Sequence, residues 1–525
     1  MSKSKIQKIL RLKSVLVILL AVTFVASAQQ PGVKWSKDLD RDRSERYLDI
    51  IGANDTSFFV FKAVRGSDRT FKLEQFSRNT MKLEKETEVE LPLVKGEPTF
   101  LDNFFYLNNR FFLFSSHQNT KTERRKAYGV QVGLDGKFIG DVVEIDDFFL
   151  GKKEKQIEFD VKLSVDSTHF LVYHNRPYSK ESDEVFSFRV LDKSLHLVHE
   201  KEISLPYDQG AYEITDYLFD GRSDIYLLSG ITPEKQERRL QRVGPENKRY
   251  VLLNYNFESN KLKEYDVSVK DKWINSVTFG VTPDGDLAIG GFYSNDFRFA
   301  IAGTFYFLLD GSNKSVKASG LMPFDREFLR KFNDGGRKSE NRELEDYFFD
   351  HFLLFENGEA LLVAEQYYMS EMIRTDPATG YQTITYTYNY NDIILVKINA
   401  NGSIAWNVKV PKYQATVNDN GPYSSYALVW NKERIHLVFN DHPENLARLR
   451  KDENAGLRSF GNVRKSVATV VTIERDGKMK RQNLYESRDE NVVMKPKTAF
   501  QSGPKELLIY GKWRRDYKFG RIRFD

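Results

Sequence analysis

The chain has 525 residues, 79 basic and 74 acidic side chains, and no cysteine. The lack of cysteine excludes a disulfide framework and a lipid-carrying cysteine, so stability has to come from an apolar core. All five excess positive charges are Lys3, Lys5, Lys8, Arg11 and Lys13; residues 29–525 carry 74 charges of each sign and no net charge, which removes the main support for a nucleic-acid partner.

Residues 1–28 read as a secretory signal peptide. The five basic residues form the n-region, Ser14–Val25 an apolar h-region, and Ala26-Ser27-Ala28 a small-residue cleavage site. The apolar run is too short to span a bilayer comfortably, and no later run is long enough. The expectation is a cleaved, soluble, exported protein that occupies the periplasm, with secretion or the cell surface as the alternative.

Beyond residue 28 an apolar strand recurs eight times: SFFVF at Ser57, RFFLF at Arg110, HFLVY at His169, IYLLSG at Ile225, LAIGG at Leu287, ALLVA at Ala360, IHLVF at Ile435 and ELLIYG at Glu506. Each follows a turn such as ANDT, LNNR, VDST or ENGE, with another short apolar strand upstream of the turn. Third and fourth strands follow, as in YGVQVGLDGKFIGDVVEI and ILVKINANGSIAWNVKV. Short runs rich in Val, Ile, Phe and Tyr, split by turn residues, are strands. Four per unit, at intervals of roughly 50 to 75 residues, is the rhythm of propeller blades.

The expected fold is therefore all-β: a single eight-bladed β-propeller over residues 29–525. A seven-bladed ring, a split propeller and two separate β-domains are the alternatives. The eighth unit is one strand short, and VKWSKDL from Val33 is placed to supply that strand and close the ring, leaving no open sheet edge. The one helical pattern falls at about 322–348. There FDREFLRKF and SENRELEDYFF begin with N-cap candidates Asp325 and Ser339, which predicts a short helical hairpin.

Blade strands alternate in direction, so loops between second and third strands share a face with the blade-to-blade loops. Tight turns fall on the other face. The long segments fall together: SSHQNTKTERRKA, TPEKQERRLQRVGPENKR, the helical insert, MSEMIRTDPATGYQTITYT, PKYQATVNDNGPY and NDHPENLARLRKDENAGLRSFGNVRKS. Held on a rigid scaffold, such loops carry binding groups, which makes the face of blades five to seven the expected working surface.

At the mouth of blade six, Glu365, Gln366, Tyr367 and Tyr368 end one strand while Tyr388, Tyr390, Asn391 and Asp392 begin the next. Lys412, Gln414, Asn418 and Asp419 follow in the next loop, and Asn440, Asp441 and Asn445 close the second strand of blade seven. These fifteen residues could form a polar pocket with aromatic walls for a peptide, a glycan or a hard cation such as Ca²⁺. Each could equally satisfy backbone groups at strand ends. No cofactor is implied, and calcium stays open.

Other features weigh less. DLDRDRSE at Asp38 has Arg43 where a calcium loop needs glycine, so it reads as a turn. The basic run Arg448, Arg450, Lys451, Arg458, Arg464 and Lys465 reads as a solvated loop before a docking site for an acidic partner or anionic lipid. Walker, G-x-G-x-x-G, G-x-S-x-G and H-E-x-x-H patterns are missing. His436 sits in an apolar strand and reads as structural; a catalytic reading would have to rest on Glu365 with Asp392.

The order NGEALLVAEQYY, YNYNDIILVKINANGSIAW, PKYQATVNDNG and FNDHPEN resembles a recurrent group of exported propeller proteins of Bacteroidota, most strongly over 280–446. The resemblance implies the fold and the cell envelope, not a substrate. The chain ends inside its last blade rather than in an export domain, which favours the periplasm. By analogy with soluble accessory subunits of envelope machines such as the type IX secretion translocon, the expected role is non-enzymatic binding or envelope assembly. The alternative is a glycan- or peptide-processing enzyme.

Overall fold

The computed structural model describes residues 31–524, apart from 41–44, 65–69, 120, 150–158, 176–182, 209–210, 233–247, 297–299 and 333–342. The signal-peptide expectation (residues 1–28), half of the DLDRDRSE turn, and the centre of the 232–249 loop lie outside the described residues.

Among the described residues, seven antiparallel sheets built on four strands paired in sequence order follow one another, an eighth has three such strands, and two short two-stranded pairs stand apart from them. The first strands of the eight are Glu45–Ala53, Phe100–Leu107, Asp160–Leu163, Tyr212–Phe219, Trp273–Val281, Tyr347–Leu354, Ala427–Trp430 and Phe500–Gly503. Second strands, the recurrent apolar runs, are almost wholly buried, as in Leu287–Ser294, while fourth strands such as Leu83–Glu90 face solvent. Fourth strands carry charge outward, and second strands are apolar on both faces, as a strand covered on both sides requires.

The core is distributed between sheets. Eight apolar clusters each join two successive sheets, and the eighth of these packs Leu508, Tyr510 and Phe519 of the last sheet against Phe58, Val60 and Phe76 of the first. The ring is thereby closed. A buried polar contact reinforces the seam: Lys62, paired with Glu74, donates to the Tyr517 hydroxyl at 2.7 Å. Val33–Trp35 adds to the last sheet with Val33 opposite Ile522 and Trp35 opposite Gly520, so the N-terminal strand does supply the missing strand. Gly520 is needed there, because a Cβ would sit 2.6 Å from the Trp35 ring. Consecutive four-stranded sheets closed into a ring define the class: a β-propeller.

Three local expectations are corrected. Of the helical hairpin α1 (Arg326–Arg330) forms, capped by the Asp325 carboxylate accepting from Phe328 N; Ser339 and its neighbours lie outside the described residues, and 344–345 and 347–349, expected as helix, are strand. Tyr347 and Phe349 pair with Gln366 and Ala364, so sheet pairing overrides the helical pattern there. A second helix, α2 (Asn445–Lys451), forms where a loop was expected. Finally, 115–119 and 124–127, and likewise 369–375 and 382–387, expected as loop, are strand.

Several first strands carry bulges. The register skips a polar residue at Asp102, Thr215, Asn275 and Asp350, whereas the first sheet skips Leu48 and Ile51. The extra residue re-aims a side chain that pleating alone would place elsewhere.

Candidate functional site

The sixth sheet is the outlier. Its second and third strands, Ala360–Thr375 and Gln382–Ile398, span 16 and 17 residues, about twice their counterparts in other sheets. Their inner halves bury Leu361, Val363, Ile393 and Leu395. Their outer halves leave the sheet as a two-stranded arm. The sequence sustains it, because Thr383, Thr385 and Thr387 alternate with Ile384, Tyr386 and Tyr388, all residue types favoured in strands. At the tip Asp376 accepts from the Ala378 and Thr379 amides at 2.8 and 2.9 Å, which holds its carboxyl below the usual range, and Gly380 supplies φ +68°. The strand Gln414–Val417 joins the arm at its base, opposite Thr387–Tyr390.

Where the arm leaves the ring, the predicted polar residues converge, and most are interior. Lys412 is 1 % exposed; its ammonium lies 2.7 Å from the Glu365 carboxylate, 2.7 Å from the Tyr390 carbonyl and 3.0 Å from Gln414 Oε1. Three acceptors match its three N–H groups. Burial pulls Lys412 below the ordinary lysine value, and the Glu365 charge opposes that. Glu365 also accepts from Ser425 Oγ at 2.7 Å, while Gln414 accepts from Ser425 N at 2.7 Å and donates to the Asn440 carbonyl at 2.7 Å. Asp392 accepts from Lys412 N at 3.0 Å and pairs with Lys409 at 2.9 Å.

The seventh sheet extends the network. Asn440 donates to the carbonyls of Tyr423 and Met494, both at 2.8 Å, tying sheet seven to the last sheet. Asp441 pairs with Arg481 and accepts from Asn445 at 2.7 Å; Asn445 in turn clamps the backbone of Arg458 at 2.8 and 2.9 Å. These contacts fold the 440–466 segment back on itself. From the basic run, Arg458 pairs with Glu444 at 2.9 Å and Arg448 donates to the Gly456 carbonyl, so part of it is spent internally. His436 is buried against Phe524, bonded to Thr472 and pushed down to about 4 by burial.

The structure thus brings all fifteen residues to one region but divides them by depth. Glu365, Lys412, Gln414, Asn440, Asp441 and Asn445 are buried and partnered; Tyr390 and Asn391 are nearly so. Gln366 bonds the Glu345 carbonyl and Asn391. Tyr368, Asn418 and Asp419 are exposed, while Tyr367, Tyr388 and Asp392 are half-buried. Tyr388 donates to Asn420, Asn418 brackets the backbone of Tyr386, and Asp419 accepts from Gly421 N. Glu365 and Asp392, the pair on which catalysis would rest, are each held by a lysine. Among the described residues no three His, Asp or Glu side chains gather to hold a metal.

Two groups at the site escaped the sequence reading. Asp350, aimed by its bulge, accepts from Tyr426 at 2.8 Å, and desolvation together with the Glu365 charge pushes its carboxyl up to about 7. Lys497 donates to the Tyr390 hydroxyl at 2.8 Å and is lowered by burial. Asp350 lies in a first strand like any other and Lys497 in the short turn Pro496–Thr498 before the last sheet's first strand, so only their neighbours single them out.

A scan against family models finds no match, and a search of curated protein sequences finds none either. Solved structures of similar overall form include an uncharacterised protein of Listeria monocytogenes (9 % identity, 91 % of this chain and 92 % of that one, TM-score 0.35). The WD40 domain of SCAP from fission yeast aligns at 10 % identity over 92 % and 99 % of the two chains, with TM-score 0.34. The β-propeller domain of the trilobed protease from Pyrococcus furiosus does so at 9 % over 88 % and 98 %, with TM-score 0.33. At such values no function passes from them to this chain.

Proposed function

We propose that this protein is a non-enzymatic binding and assembly factor of the periplasm that engages an envelope protein, of the secretion-machinery accessory kind, through the face of sheets five to seven. The observation that carries the reading is the arm. It is anchored in a buried polar network, projects beyond the ring, and exposes Met369, Met372, Ile373, Tyr381 and Ile384. Exposed apolar side chains gathered on one projection are the mark of a protein-binding surface. Export is supported by the pattern of residues 1–28, and the envelope by the resemblance over 280–446. A processing enzyme has less support, because Glu365 and Asp392 are both ion-paired.

The test is affinity purification of the tagged protein from envelope fractions, alongside a variant in which residues 371–386 are replaced by an Asn-Gly turn joining Ser370 to Thr387. The expected outcome is one envelope protein recovered with the natural chain and lost with the short-arm variant. Recovery of the natural chain alone overturns the reading.

A further inference from the structure

The arm has an open edge. Its outgoing strand pairs on one side with the returning strand, from Tyr368 opposite Asn389 to Thr375 opposite Gln382. On the other side the first strand of the sheet stops pairing at Gln366, with one further bond from Tyr367 N to the Asp346 carbonyl. Among the described residues nothing pairs with the outer edge from Tyr368 to Thr375.

The orientation of that edge follows from the opposite strand. Tyr386 N donates to Asn418 Oδ1 at 2.8 Å, and its carbonyl accepts from Asn418 N at 2.9 Å, so both groups point away from the outgoing strand. Glu371, opposite Tyr386, therefore sits in a non-hydrogen-bonded pair and turns its own N–H and C=O to the open edge. Alternation gives Met369, Ile373 and Thr375 the same direction.

These residues also share one side-chain face with Ile384, Tyr386 and Tyr388. Met369, Ile373 and Ile384 are 51, 55 and 43 % exposed on it. Glu371 is the one charged residue of that face on the arm; Arg374 lies on the other, opposite Thr383. An added antiparallel strand would hydrogen-bond at Met369, Glu371 and Ile373 and set its own alternate side chains directly opposite theirs. A second copy of the arm fits poorly. Pairing that matches edge-facing backbone groups places Glu371 opposite another Glu371, Met369, Ile373 or Thr375, never opposite Arg374.

Resting on the binding role above, we infer that the open edge takes an extended segment of a partner protein as an added antiparallel strand. That segment has a lysine or arginine opposite Glu371 and apolar residues opposite Met369 and Ile373. The probe is a labelled peptide, Thr-Ile-Thr-Lys-Thr-Ile-Thr, titrated against the full chain by fluorescence anisotropy, with a Glu-centred peptide as competitor class. Saturable binding at about 0.1–1 mM is expected, with the Lys-centred peptide preferred about fivefold. Glu371→Lys should reverse the preference, and Arg374→Glu should leave it unchanged. Ile373→Pro removes an edge-facing N–H that the arm itself does not use, and should weaken both peptides. Lack of binding, equal binding of both peptides, or a self-associated chain that Ile373→Pro turns into monomers would each overturn the inference. If the natural chain and Ile373→Pro recover the same envelope protein, the strand inference falls while the binding role stands.

Discussion

The base and the tip of the sixth-sheet arm are the same two strands under opposite conditions. At the base Lys412, Glu365, Gln414 and Ser425 satisfy one another in the interior; at the tip Met369, Ile373 and Ile384 stand in solvent beside an open edge. Polar side chains are inside and apolar ones outside, the reverse of what burial alone would select. A buried polar network fixes one geometry where its members are partnered, although here Asn440 Oδ1 is left without a hydrogen bond among the described residues. Exposed apolar groups on a projecting strand stabilise nothing in the monomer. The contrast teaches that the buried polar residues fix the base of the arm, while the apolar residues beyond it stay exposed.

Breaking the base gives the largest expected effect. Lys412→Met strands Glu365 without its ion partner inside the protein and should cost about 3–5 kcal/mol in denaturant unfolding. Replacing both members, Lys412→Met with Glu365→Leu, should recover most of that loss. A double variant as unstable as the single one would show that the pair holds more than its own charges.

Asn440→Ala comes next, at about 2 kcal/mol, because the carbonyls of Tyr423 and Met494 lose a buried donor. The measurement is thermal unfolding with the short-arm variant as background. An unchanged cost there would show that the base is independent of the tip.

Asp350 offers a test by pH. Its carboxyl is raised from 3.8 to about 7, so between those values the folded protein holds a proton that the unfolded chain releases. Stability should therefore fall as pH rises from about 4 through 7. Asp350→Asn cannot ionise and should flatten that slope, gaining on the natural protein between pH 5 and pH 8. Parallel stability profiles would remove Asp350 from the network.

The smallest effect belongs to the tip. Ile373→Ser should change stability by less than about 0.5 kcal/mol, since the side chain is exposed. A larger loss would mean that the tip is packed by the chain itself.

How much of this is legible without coordinates differs by element. The eight second strands, their turns and the closing strand at Val33 follow from local composition. The face of sheets five to seven was singled out because blade strands alternate in direction. The arm was read as a loop since MSEMIRTDPATGYQTITYT holds Asp376, Pro377 and Gly380 between polar residues, although its threonine-tyrosine alternation was a usable strand signal. Helix α2 was hidden by its short length and basic composition. The depth of Lys412 was beyond reach, because a lysine is buried only where Glu365, Gln414 and the Tyr390 carbonyl meet it, and those belong to other strands.

The sequence by itself determined the repeat, the all-β class and the strand that closes the last sheet. Each depends on residues near in sequence: alternation within a strand, turn residues between strands, and the count of strands per unit. Tertiary structure decided which polar residues are buried, which lysine answers which carboxylate, and that two strands outrun their sheet. Those depend on contacts between sheets and on where neighbouring strands stop, as Tyr347–Leu354 stops at Gln366 and leaves the arm its open edge.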